Sequence, residues 1–340
     1  MRILIIRFSS IGDIVLTSPV MRCLKMQKGA NIHYLTKKNY ASILKSNPHI
    51  DRIWTIEKKV KEVLPELKEI RFDYIIDLHR NLRSMQVKWA LGGKKYSFNK
   101  INWQKWLMVR FKINRLPEVH VVDRYLETVE GLGVKNDGKG LDYFIPKEQE
   151  VDVLKHFRLE FSKLGGNLKL PPNFIAFAIG AAHATKRLPK HKIIEICQQI
   201  QQPIILLGGP AEKGIGNEIA QQAGQHVINT CGQLNLHQSA SVVRQAQKVI
   251  THDTGMMHIA AAFHKEIISI WGNTIVEFGM YPYYGTQENR NTSMEVPNLS
   301  CRPCSKIGFD ACPKEHFDCM EKQNIQQILQ SSEATNKIGD

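Results

Sequence analysis

The chain has 340 residues, of which 46 are Lys or Arg and 32 are Asp or Glu, so its formal net charge is +14. This length allows one large or two medium domains with proper cores, and the ordinary apolar and charged fractions exclude disordered and collagen-like classes. The basic balance predicts an anionic partner, either a nucleic acid, an acidic lipid or a phosphorylated substrate.

The first apolar run is too short for a targeting segment, because Arg7, Ser9, Ser10 and Asp13 interrupt it early. No stretch is long and apolar enough to span a bilayer. We therefore expect a cytoplasmic protein whose seven cysteines stay reduced.

Short apolar runs that are typical of strands alternate with amphipathic segments that are typical of helices. The predicted strands are RILII, DYIID, FIAFAI, PIILLGG, KVITHD and EIISIWG, and the predicted helices are Pro19–Met26, Lys190–Gln199, Ala211–Ala223 and Gln238–Gln247. Most of these strands are apolar on both faces, as in a parallel sheet covered by helices. The alternation predicts an α/β fold of two doubly wound, Rossmann-like domains that face a cleft, with ligands beyond the carboxyl ends of the strands.

A connector marked by glycine and proline lies between Pro146 and Pro172. It places an N-terminal domain at residues 1–160 and a C-terminal domain at residues 161–320. Residues 321–340 would form a helix or tail that could pack back on the first domain.

The first predicted strand runs into RFSSIGD, where Asp13 stands at the start of the next helix. An Asp at this position can cap the helix and complement its dipole, and the residues alone favour this function. A carboxylate held at a helix N-terminus also stays ionised at neutral pH, so Asp13 could instead act as a general base.

Two arginines, Arg80 and Arg83, follow the second predicted strand in the segment FDYIIDLHRNLRS. They would suit a carboxylate or phosphate of a second substrate. Salt bridges that only stabilise the surface explain them equally well.

The stretch from Lys94 to Arg115, KKYSFNKINWQKWLMVRFKINR, is basic with interleaved aromatic residues. A helix there places Trp103, Trp106, Leu107 and Phe111 on one face. Such a face fits a helix that lies on an anionic membrane surface, and it also fits an ordinary helix that faces a core. The membrane surface is slightly favoured.

Two loops after predicted strands carry residues that suit a nucleotide. Lys186 and Arg187 lie in AIGAAHATKRLP, where a diphosphate or simple surface charge would explain them. Glu212 follows PIILLGG, where it could accept hydrogen bonds from ribose hydroxyls or begin the next helix as a favourable acid.

A third turn of this kind lies in THDTGMMHIAAAF, with Asp253, Thr254 and Gly255 at the turn. Gly255 lets a ligand approach the backbone, and the free N–H groups of the following helix suit a phosphate. His258 comes one turn later, although a helical His is more often a packed residue. No GxGxxG follows any predicted strand, which weakens a dehydrogenase interpretation.

Four cysteines, Cys301, Cys304, Cys312 and Cys319, follow in the C-terminal part. Four thiolates could form a structural zinc site, but the second pair lacks the close CxxC spacing. No obvious loop holds an acidic pair of the DxD type for Mg²⁺, so we expect no catalytic metal.

Together these segments resemble glycosyltransferase family 9, the heptosyltransferases. The resemblance covers nearly the whole chain through RFSSIGDIVLTSP, NPHIDRIW, FDYIIDLHRNLRS, TKRLP, LLGGPAEK and HDTGMMHIAAA. It implies the GT-B fold and an inverting transfer of heptose from ADP-heptose to the inner core of lipopolysaccharide, without metal or cofactor. The N-terminal half would bind the acceptor and the C-terminal half the nucleotide sugar.

The resemblance also implies functions for single residues. Asp13 would be the catalytic base; Ser10, Gly12, Arg80 and Arg83 would bind the acceptor; Thr185, Lys186, Glu212, Asp253, Thr254, Gly255 and His258 would bind the donor. One departure is Leu188, where the family often has a tryptophan.

Several alternatives stay open at this point. A GT-B transferase with another nucleotide sugar, a nucleotide-sugar epimerase and a non-catalytic nucleotide-sugar-binding protein would share many of these features. Nucleic acid is not an expected partner, because the basic residues are dispersed and no recognised binding module is present. A peripheral position on the inner face of the cytoplasmic membrane is an expectation that follows from the acceptor.

Overall fold

The structure is a computed structural model that describes residues 1–157 and 173–333. Most of the predicted connector, and the end of the predicted tail, lie outside these residues. The chain divides into two compact units. Among the described residues, unit 1 contains Met1–Asn102, Pro117–Phe144 and Tyr283–Glu288, and unit 2 contains Trp103–Leu116, those within Ile145–Pro282, and residues 289–333.

Unit 1 is built on a parallel sheet of five strands. They are β1 (Arg2–Ile6), β2 (Asn31–Lys37), β3 (Arg52–Ile56), β4 (Tyr74–Asp77) and β5 (Lys94–Ser97), in the order β3-β2-β1-β4-β5. The last four residues of β1 are fully buried, so this strand is covered on both faces. Because the winding reverses between β1 and β4, these two strands form the switch point where such sheets bind ligands.

The helices of unit 1 connect these strands. They are α1 (Ile11–Val15), α2 (Ser18–Lys28), α3 (Ser42–Lys45), α4 (Leu64–Glu69), α5 (Leu82–Ala90) and α7 (Val121–Glu130). In α2 a proline occupies the first turn, and Gly29 ends the helix with a φ of 56°. A left-handed residue at this position favours glycine, so the helix boundaries follow from the sequence.

Unit 2 is built on a parallel sheet of six strands. They are β6 (Ile175–Ala178), β7 (Ile204–Leu207), β8 (Val227–Asn229), β9 (Lys248–His252), β10 (Glu266–Trp271) and β11 (Asn291–Glu295), in the order β11-β10-β9-β6-β7-β8. The switch point of this sheet lies between β6 and β9.

The helices of unit 2 are α6 (Asn102–Phe111), α8 (Val153–His156), α9 (Lys190–Gln199), α10 (Lys213–Ala223), α11 (Leu236–Gln245), α12 (Gly255–Ala262), α13 (Asp318–Glu321) and α14 (Ile325–Glu333). The C-terminal α14 packs against α9 and against β10 and β11 of this unit. The apolar side of α14, with Ile325, Ile328 and Leu329, joins the core of the sheet.

The prediction of two doubly wound, Rossmann-like α/β units is confirmed. All six predicted strands are present, and the four predicted helices form with ends shifted by up to two residues. No helix in the described ranges is long and apolar enough to cross a membrane.

The amphipathic helix α6 differs from an ordinary core helix, because none of its residues is buried. Trp103, Trp106 and Phe111 are all exposed. The core-facing interpretation of this segment is therefore wrong.

Candidate active site

Asp13 lies at the carboxyl end of β1, in the first turn of α1. Its Oδ2 accepts hydrogen bonds from the backbone N–H of Ser10 at 3.1 Å and from the Ser10 hydroxyl at 2.8 Å. The carboxylate therefore stabilises the start of the helix, as the capping interpretation predicts. Its side chain is 22% exposed, so solvent or a ligand can also reach it.

The guanidinium of Arg7 fixes the other oxygen of this carboxylate. Arg7 Nη2 lies 2.6 Å from Asp13 Oδ1, and Nη1 donates to the Leu78 carbonyl at 2.5 Å and the Tyr125 hydroxyl at 2.9 Å. Burial alone would lower the pKa of Arg7, but the negative charge of Asp13 and its hydrogen bond leave it raised. A permanent cation at this distance favours the ionised carboxylate.

The pairing of Arg7 with Asp13 is not among the predictions made from the sequence. A signal was present, since Arg7 is a charged residue between the apolar run ILII and Phe8. Arg7 directly follows a strand that is covered on both faces and is itself buried, so its charge needs a partner, and a carboxylate six residues later can provide one.

His79 is a neutral neighbour of this site. Burial lowers its pKa to about 4, and the charges of Arg7 and Lys100 add to this effect. Its ring packs edge-on against Phe8, with 5.2 Å between the ring centroids. At neutral pH, His79 therefore adds no positive charge near Asp13.

The turn after β4 is organised by Asp77, which is fully buried. Its Oδ1 accepts from the backbone N–H groups of His79 at 3.0 Å and Arg80 at 2.6 Å. Its Oδ2 accepts from the Ser84 hydroxyl at 2.8 Å and pairs with Lys88 at 2.9 Å. Since Ile6 of β1 is paired with Asp77, this turn lies beside the turn that carries Asp13.

The two predicted acceptor arginines lie in this turn and in α5. Arg80 has a φ of 50°, which is unusual for a non-glycine residue, and its guanidinium donates to the Phe98 carbonyl at 3.2 Å. Arg83 is exposed on the first turn of α5. Neither arginine forms a salt bridge within residues 1–157 and 173–333, so the salt-bridge alternative finds no support.

In unit 2 the loops after β6 and β9 meet through an ion pair. Lys186 Nζ lies 2.5 Å from Asp253 Oδ2, and the Thr274 hydroxyl donates to the same oxygen at 2.8 Å. The pair is possible because Ala178 of β6 and Thr251 of β9 are paired neighbours in the sheet. Thr274 follows β10 and was not predicted as part of the site.

Thr185 precedes Lys186 and is almost fully buried. Its hydroxyl accepts from the Phe309 N–H at 2.8 Å, and its backbone N–H donates to the Phe309 carbonyl at 3.1 Å. The structure thus gives Thr185 a part in holding the lysine loop. A direct contact with the donor stays a prediction.

Thr254 is the N-cap residue of α12, and Gly255 is the first residue of this helix. Both are partly exposed, so the first N–H groups of α12 can reach a ligand. Such groups, together with the helix dipole, favour a phosphate. His258 is only 2% exposed, so its side chain would have to become more accessible before it could contact a donor.

Glu212 lies after β7, at the end of the short turn Pro210–Glu212. Its Oε2 accepts from the Gly209 N–H at 2.9 Å, and its Oε1 lies 3.7 Å from Arg187 Nη2. A Cβ at Gly180 would lie 3.1 Å from the Glu212 carboxyl group, so the close approach of β6 and this turn favours glycine there. The loops after β6, β7 and β9 thus place Lys186, Arg187, Glu212 and Asp253 at one edge of the sheet.

His252 ties the lysine loop to β9. Its Nε2 accepts a hydrogen bond from the Leu188 backbone N–H at 3.0 Å. Burial lowers the pKa of His252 to about 4, with a further contribution from Arg187, so the ring is neutral at physiological pH. The side chain of Leu188, where the family often has tryptophan, is buried.

The four C-terminal cysteines are free thiols. Burial raises the pKa of Cys319 to about 12, with smaller contributions from Cys304 and Cys312. Across the ranges that the structure describes, no group of three or more His, Cys, Asp or Glu side chains is arranged to hold a metal ion. The geometry therefore gives no support to a zinc site at these residues.

The family model and the curated relatives reported below point to the same family. The family model of glycosyltransferase family 9 (heptosyltransferase) matches residues 60–309. Lipopolysaccharide heptosyltransferase 1 of Campylobacter coli is 25% identical over 300 residues, which cover 81% of this chain and 84% of that protein. Lipopolysaccharide heptosyltransferase 1 of Pseudomonas aeruginosa is 23% identical over 98% of both chains.

Solved structures show the same fold. A family 9 glycosyl transferase of Veillonella parvula has a TM-score of 0.69 and 22% identity, with 86% of this chain and 85% of that chain covered. The Escherichia coli heptosyltransferase WaaC with ADP has a TM-score of 0.66 and 19% identity, with 97% and 98% covered. The GT-B fold prediction is confirmed by these neighbours and by the two parallel-sheet units.

Proposed function

We propose, on the premise that the chain belongs to glycosyltransferase family 9, that it moves a heptose from ADP-heptose onto the inner core of lipopolysaccharide. The N-terminal domain would bind the acceptor and the C-terminal domain the nucleotide sugar. Relatives along most of the chain are lipopolysaccharide heptosyltransferases, and one E. coli neighbour was solved with ADP-2-deoxy-2-fluoro heptose.

The observation that carries the proposal is the position of the candidate residues in the two sheets. Asp13 and Arg80 follow β1 and β4, which form the switch point of the first sheet. Lys186 and Asp253 follow β6 and β9, which form the switch point of the second. Doubly wound sheets bind their ligands at these points, so each unit would hold one substrate there.

The transfer would be a single displacement that inverts the anomeric carbon. Asp13 takes the proton from an acceptor hydroxyl while the hydroxyl oxygen bonds to the anomeric carbon and the bond from that carbon to the diphosphate breaks. Arg7 and Ser10 hold the carboxylate in one orientation. The expected contribution of a positioned base is roughly 10²–10⁴-fold in rate.

ADP leaves with additional negative charge on its β-phosphate. Lys186 and the N–H groups at the start of α12 would stabilise this charge without a metal ion. Lys186 is paired with Asp253 at 2.5 Å, which keeps its ammonium near the switch point before the donor binds. Glu212 would accept hydrogen bonds from the ribose hydroxyls, and Arg80 and Arg83 would bind the anionic acceptor.

The test is an incubation with a panel of nucleotide sugars and a truncated lipopolysaccharide core, followed by mass analysis. We expect one heptose to be added to the core with ADP-heptose only, with an equal amount of ADP released. Addition of another sugar would contradict the donor assignment. Conversion of a nucleotide sugar without acceptor would indicate an epimerase, and binding without turnover would indicate a non-catalytic protein.

A further inference from the structure

Residues 78–117 form a continuous segment of 40 residues without a single Asp or Glu. The segment contains ten basic residues, which are Arg80, Arg83, Lys88, Lys94, Lys95, Lys100, Lys105, Arg110, Lys112 and Arg115. The rest of the chain then has 36 basic residues against all 32 acidic ones. Most of the net charge of +14 therefore comes from this one segment.

The same segment contains half of the large apolar side chains that are exposed in the described part of the chain. They are Leu82, Trp89, Trp103, Trp106, Phe111 and Ile113, and they are between 45% and 76% exposed. Three of the five tryptophans of the protein are among them. Apolar residues scattered singly over a surface need no explanation, but a concentration of them within one basic segment does.

In α6 the aromatic residues contact one another in solvent. Trp103 and Trp106 stack with 4.9 Å between their ring centroids, and Phe111 packs edge-on against Trp106 at 5.2 Å. They form a continuous aromatic patch on one side of the helix. Exposure of such an aromatic patch to water is unfavourable in free energy. A partner that covers the patch would remove this unfavourable exposure.

The attachment of α6 to unit 2 explains why its aromatic side faces outward. Lys105 lies over the ring of Phe278, with its Nζ 5.4 Å from the centroid. Lys112 donates to the carbonyls of Cys301 at 3.1 Å and Pro303 at 2.6 Å. Lysines thus anchor the inner side of this segment, whereas an ordinary surface helix buries its apolar side.

In α5 a second exposed apolar side is present. Leu82 and Trp89 are seven residues apart and therefore lie on the same side of the helix. The opposite side is anchored by buried Ser84 and Val87, and by the ion pair of Lys88 with Asp77. This helix, like α6, combines exposed apolar side chains with basic residues and has no acidic residue.

We propose that the exposed aromatic side of α6 binds the surface of an anionic phospholipid bilayer; α5, which belongs to the other unit, is a separate surface of the same kind. Tryptophan and phenylalanine would enter the boundary between headgroups and acyl chains, while arginines such as Arg110 and Arg115 contact lipid phosphates. Charge complementarity selects this occupant, since an acid-free basic segment is attracted to anionic lipid at about 1 kcal/mol per charge. The proposal deepens the proposed function, because the acceptor of that reaction is a lipid of the membrane.

The experiment is sedimentation of the full chain with vesicles of phosphatidylcholine alone, or of phosphatidylcholine with phosphatidylglycerol. We expect binding to the anionic vesicles only, weaker binding in high salt, and a shift of tryptophan emission to shorter wavelength on binding. The double variant R110Q/R115Q should lower the partition coefficient about 30-fold, because each lost charge weakens binding about fivefold. The double variant W103S/W106S should lower it by more than about tenfold.

Matched controls exist elsewhere on the surface. K58Q/K61Q removes the same charge from exposed lysines outside the segment, and M26S/I215S removes exposed apolar side chains from other helices. Both controls should bind within about twofold of the unchanged protein. If W103S/W106S does not fold, F111S provides the aromatic test on α6.

Binding that falls equally in the controls, or that does not depend on anionic lipid, would overturn the proposal. Self-association that is lost in W103S/W106S, without any vesicle binding of the unchanged protein, would assign the surface to a second copy of the chain instead. Transfer to a delipidated core oligosaccharide should persist in W103S/W106S. If the unchanged protein binds vesicles but transfers no heptose, the proposed reaction fails while the membrane surface stands.

Discussion

Replacement of Asp77 by Asn tests how the turn after β4 is held. The four donors around Asp77 are the N–H groups of His79 and Arg80, the Ser84 hydroxyl and the Lys88 ammonium. Two of these donors contact each oxygen of the Asp77 carboxylate. The asparagine side chain has only one oxygen, so it can accept from one pair of donors, whereas its NH₂ group would face the other pair and cannot accept from it.

The expected loss of stability in D77N follows from the burial of Asp77 and its partner Lys88. Asp77 is fully buried and the Lys88 side chain is 15% exposed, so removal of one partner leaves a largely buried charge. We expect a loss of about 3 kcal/mol in the free energy of unfolding, at the lower end for buried pairs. We also expect a raised KM for the acceptor, because Asp77 holds the backbone of Arg80, with an unchanged KM for the donor.

Urea unfolding at neutral pH measures the stability change, and initial rates measure the two KM values. K88M is the matched control, because it removes the cation but leaves three hydrogen bonds to the carboxylate. The double variant D77N/K88M should lose less than the sum of the single variants. A loss below about 1 kcal/mol in D77N would refute this account of the turn.

Three further results are expected. R22M should lose about 3–5 kcal/mol in the free energy of unfolding, measured by denaturant titration. Arg22 is buried and pairs with both Asp137 and Asp142, so the variant leaves these two charges uncompensated. K186M should weaken ADP affinity by about 10- to 100-fold in calorimetry, as expected for lost hydrogen bonds to a charged group. For His79 and His252, the folded pKa of about 4 lies below the usual 6.5, so unfolding takes up protons. Their contribution to stability is complete above pH 6.5 and is lost as the pH falls toward 4, by about 3 kcal/mol for the fully buried His252 and by less for His79, which is partly exposed. Unfolding midpoints at pH 7 and pH 4 measure this, and H79Q should reduce the difference.

The buried strands could be predicted because their sequences carry a clear signal. RILII and FIAFAI are apolar on both faces, and they form the central strands β1 and β6. The edge strand β5 is largely exposed and has the sequence KKYS, which lacks the apolar pattern from which a strand could be predicted. It forms because the open edge of β4 pairs with it, with Tyr74 beside Lys94, and this is a tertiary effect.

The same limit applies to the candidate site. The turns with Asp13, Lys186 and Asp253 follow strands in the sequence, so their common position at strand ends could be predicted. The hydrogen bond from Thr274 to Asp253 joins residues 21 positions apart, and no local pattern encodes it. For α6 the apolar periodicity predicts the helix and the side on which its aromatic residues lie. The sequence does not decide which environment this side faces.

The most direct measurement compares D13N with the unchanged protein in heptosyl transfer and in donor binding. Asparagine keeps the size of the side chain but cannot accept the proton, so turnover should fall by about 10²–10⁴-fold. The Kd for ADP should stay within about twofold, since the candidate donor residues lie in unit 2. S10A, which removes the hydroxyl that orients Asp13 but keeps the carboxylate, should lose less turnover than D13N. If D13N kept most of its turnover with the fold intact, Asp13 would not be the base and the proposed mechanism would be wrong.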